Sequence, residues 1–137
     1  MTTAVRERLI AAIQTAVGGS YGLPVPEDER DVPVTIVQDA TDEAADAYGV
    51  TQLAMPLSVG RAEAAVGSTR EALRAQAHAA LAAIVAEMHA DETFGGLADG
   101  IDYVGGGILI ELGRFVFAEA SFRVRYHHVR GDATTIE

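Results

Sequence analysis

The sequence predicts an α+β domain: a two-layer sandwich whose sheet of about four antiparallel or mixed strands carries two helices on one face. Three observations predict it. Residues 114–129 (RFVFAEASFRVRYHHV) alternate with period two. Val116, Ala118, Ala120, Phe122, Val124 and Tyr126 share one face, and Phe115, Phe117, Glu119, Ser121, Arg123, Arg125 and His127 share the other. That is the pattern of a half-buried antiparallel strand. Two other segments repeat their apolar residues with helical period instead. The elements then run helix, two strands, helix, two strands, an order that segregates helices to one side of hairpin-built sheet.

Residues 4–17 read as the first helix. Val5, Leu9, Ile13, Ala16 and Val17 fall on one side, Thr3 is placed to cap the start, and Gly18-Gly19 ends it. A polar loop over 18–31 with Pro24 and Pro26 leads to a short strand over 33–39, and an acidic loop runs on to Tyr48. Residues 50–61 form the next strand, with Thr51, Leu53, Met55, Leu57 and Val59 on one face. Pro56 cannot donate to a ladder, so the strand is expected to be an edge there or to bulge. Ser68 and Glu71 have capping-box spacing and open the long helix over 69–90, whose buried stripe is Leu73, Ala77, Ala80, Leu81, Ile84 and Met88. Phe94, Gly95, Gly96, Leu97 and Gly100 turn the chain into a glycine-weakened strand over 103–112. Gly113-Arg114 suits a hairpin into the last strand, and 131–137 reads as a loose tail. A 14-residue strand reaches on the order of 45 Å, so it should bend, bulge or meet another subunit in a domain this small.

With 137 residues, the chain is long enough for one core and reads as a single domain, 1–137. Cysteine is absent, which removes disulfides, thiolate metal sites and cysteine nucleophiles together. No apolar run approaches the roughly 18 residues that span a bilayer, and the charged N-terminal helix makes a poor secretion signal. A soluble protein made in a cytoplasm is expected. The net charge is −10, with 20 acidic residues against 10 arginines and no lysine, which disfavours binding to nucleic-acid backbones. The charge is uneven. Glu27, Asp28, Glu29, Asp31, Asp39, Asp42, Glu43 and Asp46 face Arg30 alone, whereas the last strand holds Arg114, Arg123 and Arg125 against Glu119. Such polarity favours head-to-tail contact between identical subunits.

No reactive centre emerges. His78 and His89 lie on one helix about 16 Å apart, and the adjacent His127 and His128 point to opposite faces of a strand. No metal-ligand spacing is present, so no metal and no cofactor is expected. Residues 39–46 (DATDEAAD) lack the glycine and closing glutamate of a calcium loop. Gly105-Gly106-Gly107 leads into Ile108-Leu109-Ile110 rather than a helix, so it fits a bulge or close backbone contact better than a phosphate cradle. Ser20, Ser58, Ser68 and Ser121 lie in no nucleophile elbow. Catalysis is therefore not expected. Phe115 and Phe117 stand on the polar face of the last strand, where a helix or a partner must cover them.

The chain resembles the bacteriophage tail terminator (tail completion) family. The resemblance rests on PVTIVQD (33–39), VTQLAMPLSVG (50–60), STREALRAQAHAALAAIVAEMHAD (68–91), FGGLADGIDYVGGG (94–107) and FRVRYHH (122–128). It covers nearly the whole chain but in order, length and texture, since that family has no diagnostic motif. It implies a structural virion protein, a hexameric ring that terminates the tail tube and takes part in head–tail joining. Its partners would be further copies, the tail-tube protein and the head-side connector, with no membrane. Assembly would take place in the host cytoplasm, and DNA would pass through an acidic lumen without specific binding. On that reading Arg61, Phe115, Phe117, Arg123 and Arg125 are interface candidates, while Asp39, Asp42, Glu43 and Asp46 form a projecting loop or line the lumen. A small oligomeric α+β enzyme or ligand-binding domain of hot-dog or ferredoxin-like type is the alternative, with a pocket between helix 69–90 and the sheet or at a dimer seam. A connector or neck subunit is a third.

Overall fold

The structure, a computed structural model, describes residues 3–22, 33–111 and 114–136. Two helices, α1 (Val5–Val17) and α2 (Arg70–His89), are accompanied by β1 (Ser20–Tyr21), β2 (Val34–Asp39), β3 (Glu43–Ala47), β4 (Val50–Ala64), β5 (Gly100–Glu111) and β6 (Phe115–Val129). The class is α+β as the sequence predicts, but the strands number six rather than about four. They form one mixed sheet in the order β1-β2-β4-β6-β5, with β3 beside β4.

The long last strand is accommodated inside the chain. β4 and β6 are both 15 residues long and pair in unbroken register from Val50–Val129 to Ala64–Phe115. Neither bends away, because each supplies the other's ladder for a span of about 50 Å. β5 covers the other flank of β6, and its register slips by one between Tyr103 and Gly105, so Val104 is the extra residue of a bulge.

Pro56 lies in this central strand, not at an edge. β2 pairs with β4 as far as Leu57, and β3 resumes at Ala54. The Pro56 carbonyl accepts from Ala40 N–H at 2.9 Å, so its nitrogen also points toward the junction of β2 and β3. The missing donor therefore falls where the neighbouring strand is interrupted.

Both helices pack on one sheet face. Val5, Leu9, Ile13 and Val17 of α1 and Ala80, Ile84 and Met88 of α2 meet Val37, Met55, Val59, Phe122, Val124 and Tyr126 in the main core. Ala16 is exposed, outside the predicted stripe. Gly18, at φ 64°, ends α1 with its own N–H on Thr15 O and that of Gly19 on Gln14 O. That pair of bonds is the Schellman arrangement, which needs a left-handed residue and so favours glycine. Gly106 meets a different need. A Cβ there would lie 2.9 Å from the Glu119 carbonyl of β6, a backbone atom that cannot give way, as well as against the ends of the Leu81 and Tyr103 side chains, so glycine lets β5 lie close to β6 under α2.

Three end effects differ from expectation. Thr69, not Ser68, caps α2, its hydroxyl accepting from Ala72 N–H at 3.1 Å. Thr3 does not cap α1: the cap position is Ala4, without a side-chain bond. The Val5 N–H instead donates to Ala133 O at 2.9 Å, and Arg8 reaches Thr134 O at 2.6 Å. Residues 131–136, expected as a loose tail, are thus tied across the start of α1, with Ile136 packed on the core. The Pro24–Pro26 stretch and the turn at Gly113 lie outside the described residues.

Candidate interaction surfaces

The acidic segment is not a solvated loop. Residues 43–47 are strand β3, and the two carboxylates before it turn inward onto Arg6 of α1. Arg6 Nε donates to Asp42 at 3.1 Å, and its guanidinium also holds the Asp39 carboxylate. The buried Tyr126 hydroxyl donates to Asp42 at 2.6 Å, and Tyr21 donates to Asp39. Alternation alone places Tyr126 in the core, but nothing in the sequence pairs it with a residue 84 positions away. Glu43 and Asp46 remain exposed; Asp46 accepts from Thr51 and lies 3.4 Å from Arg130. Three of the four expected lumen residues therefore have partners within the protomer, Asp39 and Asp42 turned inward and Asp46 at the surface.

This cluster has a pH signature. Burial alone would raise the Asp39 carboxyl, but the bonds from Tyr21 and Arg6 outweigh it and hold it below the ordinary value. Burial, then the hydrogen bond to Asp42, pushes the Tyr126 phenol well above its ordinary 10.0. A lowered carboxyl stabilises the fold above its unfolded pKa of about 4, and that contribution disappears as pH falls further. A raised phenol does so up to about pH 10 and loses it as pH climbs beyond. Tyr126→Phe should therefore flatten the alkaline limb of the thermal midpoint above about pH 10, read by circular dichroism, and leave the acid limb in place.

Arg61 is not at the surface. It projects from β4 to the helix face, donating to Glu87 of α2 at 2.7 and 3.0 Å, to Val17 O at 3.0 Å and to Thr35 Oγ1 at 2.8 Å. One guanidinium thus joins both helices to β2. Phe115 and Phe117, 6% and 9% exposed, pack with Ala62 and Val34 in a small cluster on the sheet's second face. Arg114 lies 5.7 Å above the Phe115 ring. The cover that these rings require is therefore supplied within the protomer itself. The register brings Ala62 opposite Phe117 and Val34 opposite Ala62, a conjunction that only pairing across three strands creates.

Arg123 and Arg125 do face solvent, and Arg125 Nε lies 3.2 Å from Asp102. His78 is exposed, whereas His89 sits edge-on to Phe122 with ring centres 6.2 Å apart and His127 Nδ1 lies 2.9 Å from Asp99. Among the described residues, no group of three or more His, Asp or Glu is gathered as metal ligands would be. No helix among the described residues is long and apolar enough to cross a membrane.

Besides a recess of about 770 Å³ beside Gln52, Ala54, Arg125 and His127, two features of the sheet stand open. β5 ends the strand order, so alternate backbone N–H and C=O groups along its 12 residues lack a ladder on the outer side among the described residues. From Gly105 to Ile110 it carries no charge and no proline, and Leu109 is 52% exposed. On the second face, a trough of about 400 Å³ crosses the strands between Pro56, Val104 and Arg123, over Ser58 and Ser121. The sequence gives no signal for either, because both depend on which strand ends the sheet.

No protein-family model matches the chain. No curated protein matches it either. Among solved structures, a chain from one described as "Virion of native gene transfer agent (GTA) particle" is similar at 16% identity and a TM-score of 0.39, over 90% of this chain and 92% of that one. So loose a superposition bears on neither fold nor function.

Proposed function

We propose that this chain is a structural subunit that joins copies of itself into a hexameric ring terminating a phage-type tail tube, with its other side presented to the head-side connector. The observation that carries self-assembly is the β5 edge. Proteins that act as monomers shield long sheet edges with charges, proline, bulges or short strands; β5 has a bulge at Val104, but the six consecutive uncharged residues after it leave half a ladder unmade. The specific role in a tail is drawn from the sequence resemblance. On this reading, the protein resides in the virion tail, Glu43 is the carboxylate left to face a lumen, with Asp46 exposed beside it but held by Arg130, and no catalysis is assigned. The space between α2 and the sheet, where an enzyme would need its pocket, is packed by Ala80, Ile84 and Met88 against Phe122 and Val124.

Native mass spectrometry should give a hexamer, and the purified ring should stop elongation of tail-tube protein. A dimer or tetramer that ignores tube ends would favour the oligomeric enzyme or ligand binder. Leu109→Lys puts a charge on the open edge, and at a half-exposed site it should leave the thermal midpoint within about 2 °C while weakening assembly at least tenfold. Unchanged assembly would remove β5 from the interface.

A further inference from the structure

The hairpin between β3 and β4 turns in two residues, with Ala47 paired directly to Val50. Tyr48 and Gly49, the central pair, have φ of 49° and 84°. Two positive values define a type I′ turn, whose first position suits asparagine, aspartate or glycine. A bulky residue in the left-handed region is strained. The turn is held through its backbone, with Gly49 O accepting from Arg130 N–H at 2.9 Å, but the Tyr48 side chain adds no contact that would offset the strain. Tyr48 is fully exposed, and its ring and hydroxyl meet no partner among the described residues. A local rule is broken here with no gain inside the molecule, at the tip of a projecting hairpin, with the residue type that most often anchors protein contacts.

We propose that Tyr48 is the knob of a contact between two copies of this chain, entering the trough beside Arg123 on the second sheet face of the next copy. This deepens the self-assembly proposed above and rests on it. Charge selects the occupant. Arg6 holds Asp39 and Asp42, and Arg130 lies at the turn 3.4 Å from Asp46, so exposed Glu43 leaves the hairpin with a net negative charge. A hairpin of that sign is repelled by nucleic acid and by anionic membranes. It fits an apolar recess rimmed by a cation, and the trough provides one. Pro56 and Val104 supply apolar walls, while Arg123 is exposed without a carboxylate partner among the described residues. Asp39 also borders the trough, but Arg6 neutralises it. The serine hydroxyls of Ser58 and Ser121 can accept the phenol O–H. Knob and socket are different surfaces, so the contact is head to tail and can close a ring.

The test uses the full chain with Tyr48→Asn and Arg123→Glu, followed by light scattering and thermal melting. Asparagine suits the turn, so Tyr48→Asn should raise the thermal midpoint by about 3 °C and weaken association at least tenfold. Arg123→Glu should weaken association similarly without moving the midpoint. Mixing the two variants leaves one intact contact per pair, so the mixture should stop at 1:1 heterodimers. If the wild type forms its ring and Tyr48→Asn forms it equally well, the knob is overturned and the ring stands. Loss of assembly with a lowered midpoint would make Tyr48 a folding residue and also overturn it. A monomeric wild type overturns both.

Discussion

Truncating Phe115 and Phe117 together to alanine is expected to cost at least about 4 kcal/mol and to lower the thermal midpoint by more than about 10 °C. On the alternation of the last strand alone, the opposite result would be expected, with assembly impaired and folding spared. The rings close a second small core with Ala62 and Val34, on the face opposite the helices. They pin the ends of β4 and β6 from the second face, opposite the point where Leu73 and Ala77 of α2 cover Val116. Removing two rings leaves a cavity that neighbouring alanine and valine cannot collapse to fill. Against a total stability of about 5–15 kcal/mol, the doubly truncated protein should be partly unfolded at 37 °C, which urea titration would measure. A midpoint within about 3 °C of wild type, with loss of assembly, would return both rings to the interface.

Arg61→Met is expected to cost about 2 kcal/mol, or roughly 6 °C. Its guanidinium is nearly covered, with 13% of the side chain exposed against 35% for Glu87. Solvent therefore screens one partner and holds the figure below that of a fully buried pair. Loss of the arginine also strands the Val17 carbonyl at the end of α1, which the Schellman bonds do not reach. A double-mutant cycle with Glu87→Gln should show coupling of about 1 kcal/mol. If Arg61→Met instead melts normally and fails to assemble, the residue belongs to a subunit contact.

Periodicity made most elements legible. The apolar faces of α1, α2, β4 and β6 are nearly those read from spacing, because a side chain's azimuth is fixed by local geometry alone. β1 is too short for any period, and β3 was hidden by composition. Glu43–Ala47 has the residues of a loop and is a strand because β4 offers it a ladder and Tyr48-Gly49 reverses the chain. The candidate surfaces divide in the same way. Exposure of Arg123 and Arg125 follows from alternation. The interior places of Arg61, Asp39 and Asp42 do not, since each is set by a partner more than 20 positions away.

The sequence by itself determined the class, the two helices, the face that each long strand buries, and the excess of negative charge. These are short-range properties, written in spacing and composition. Tertiary structure alone decided that β6 lies inside the sheet and β5 at its edge, that the phenylalanines are covered, and that the C-terminal residues cap α1. Strand order is a choice among long-range pairings of similar local quality. It is settled by which arrangement satisfies the most backbone donors and buries the most apolar surface at once.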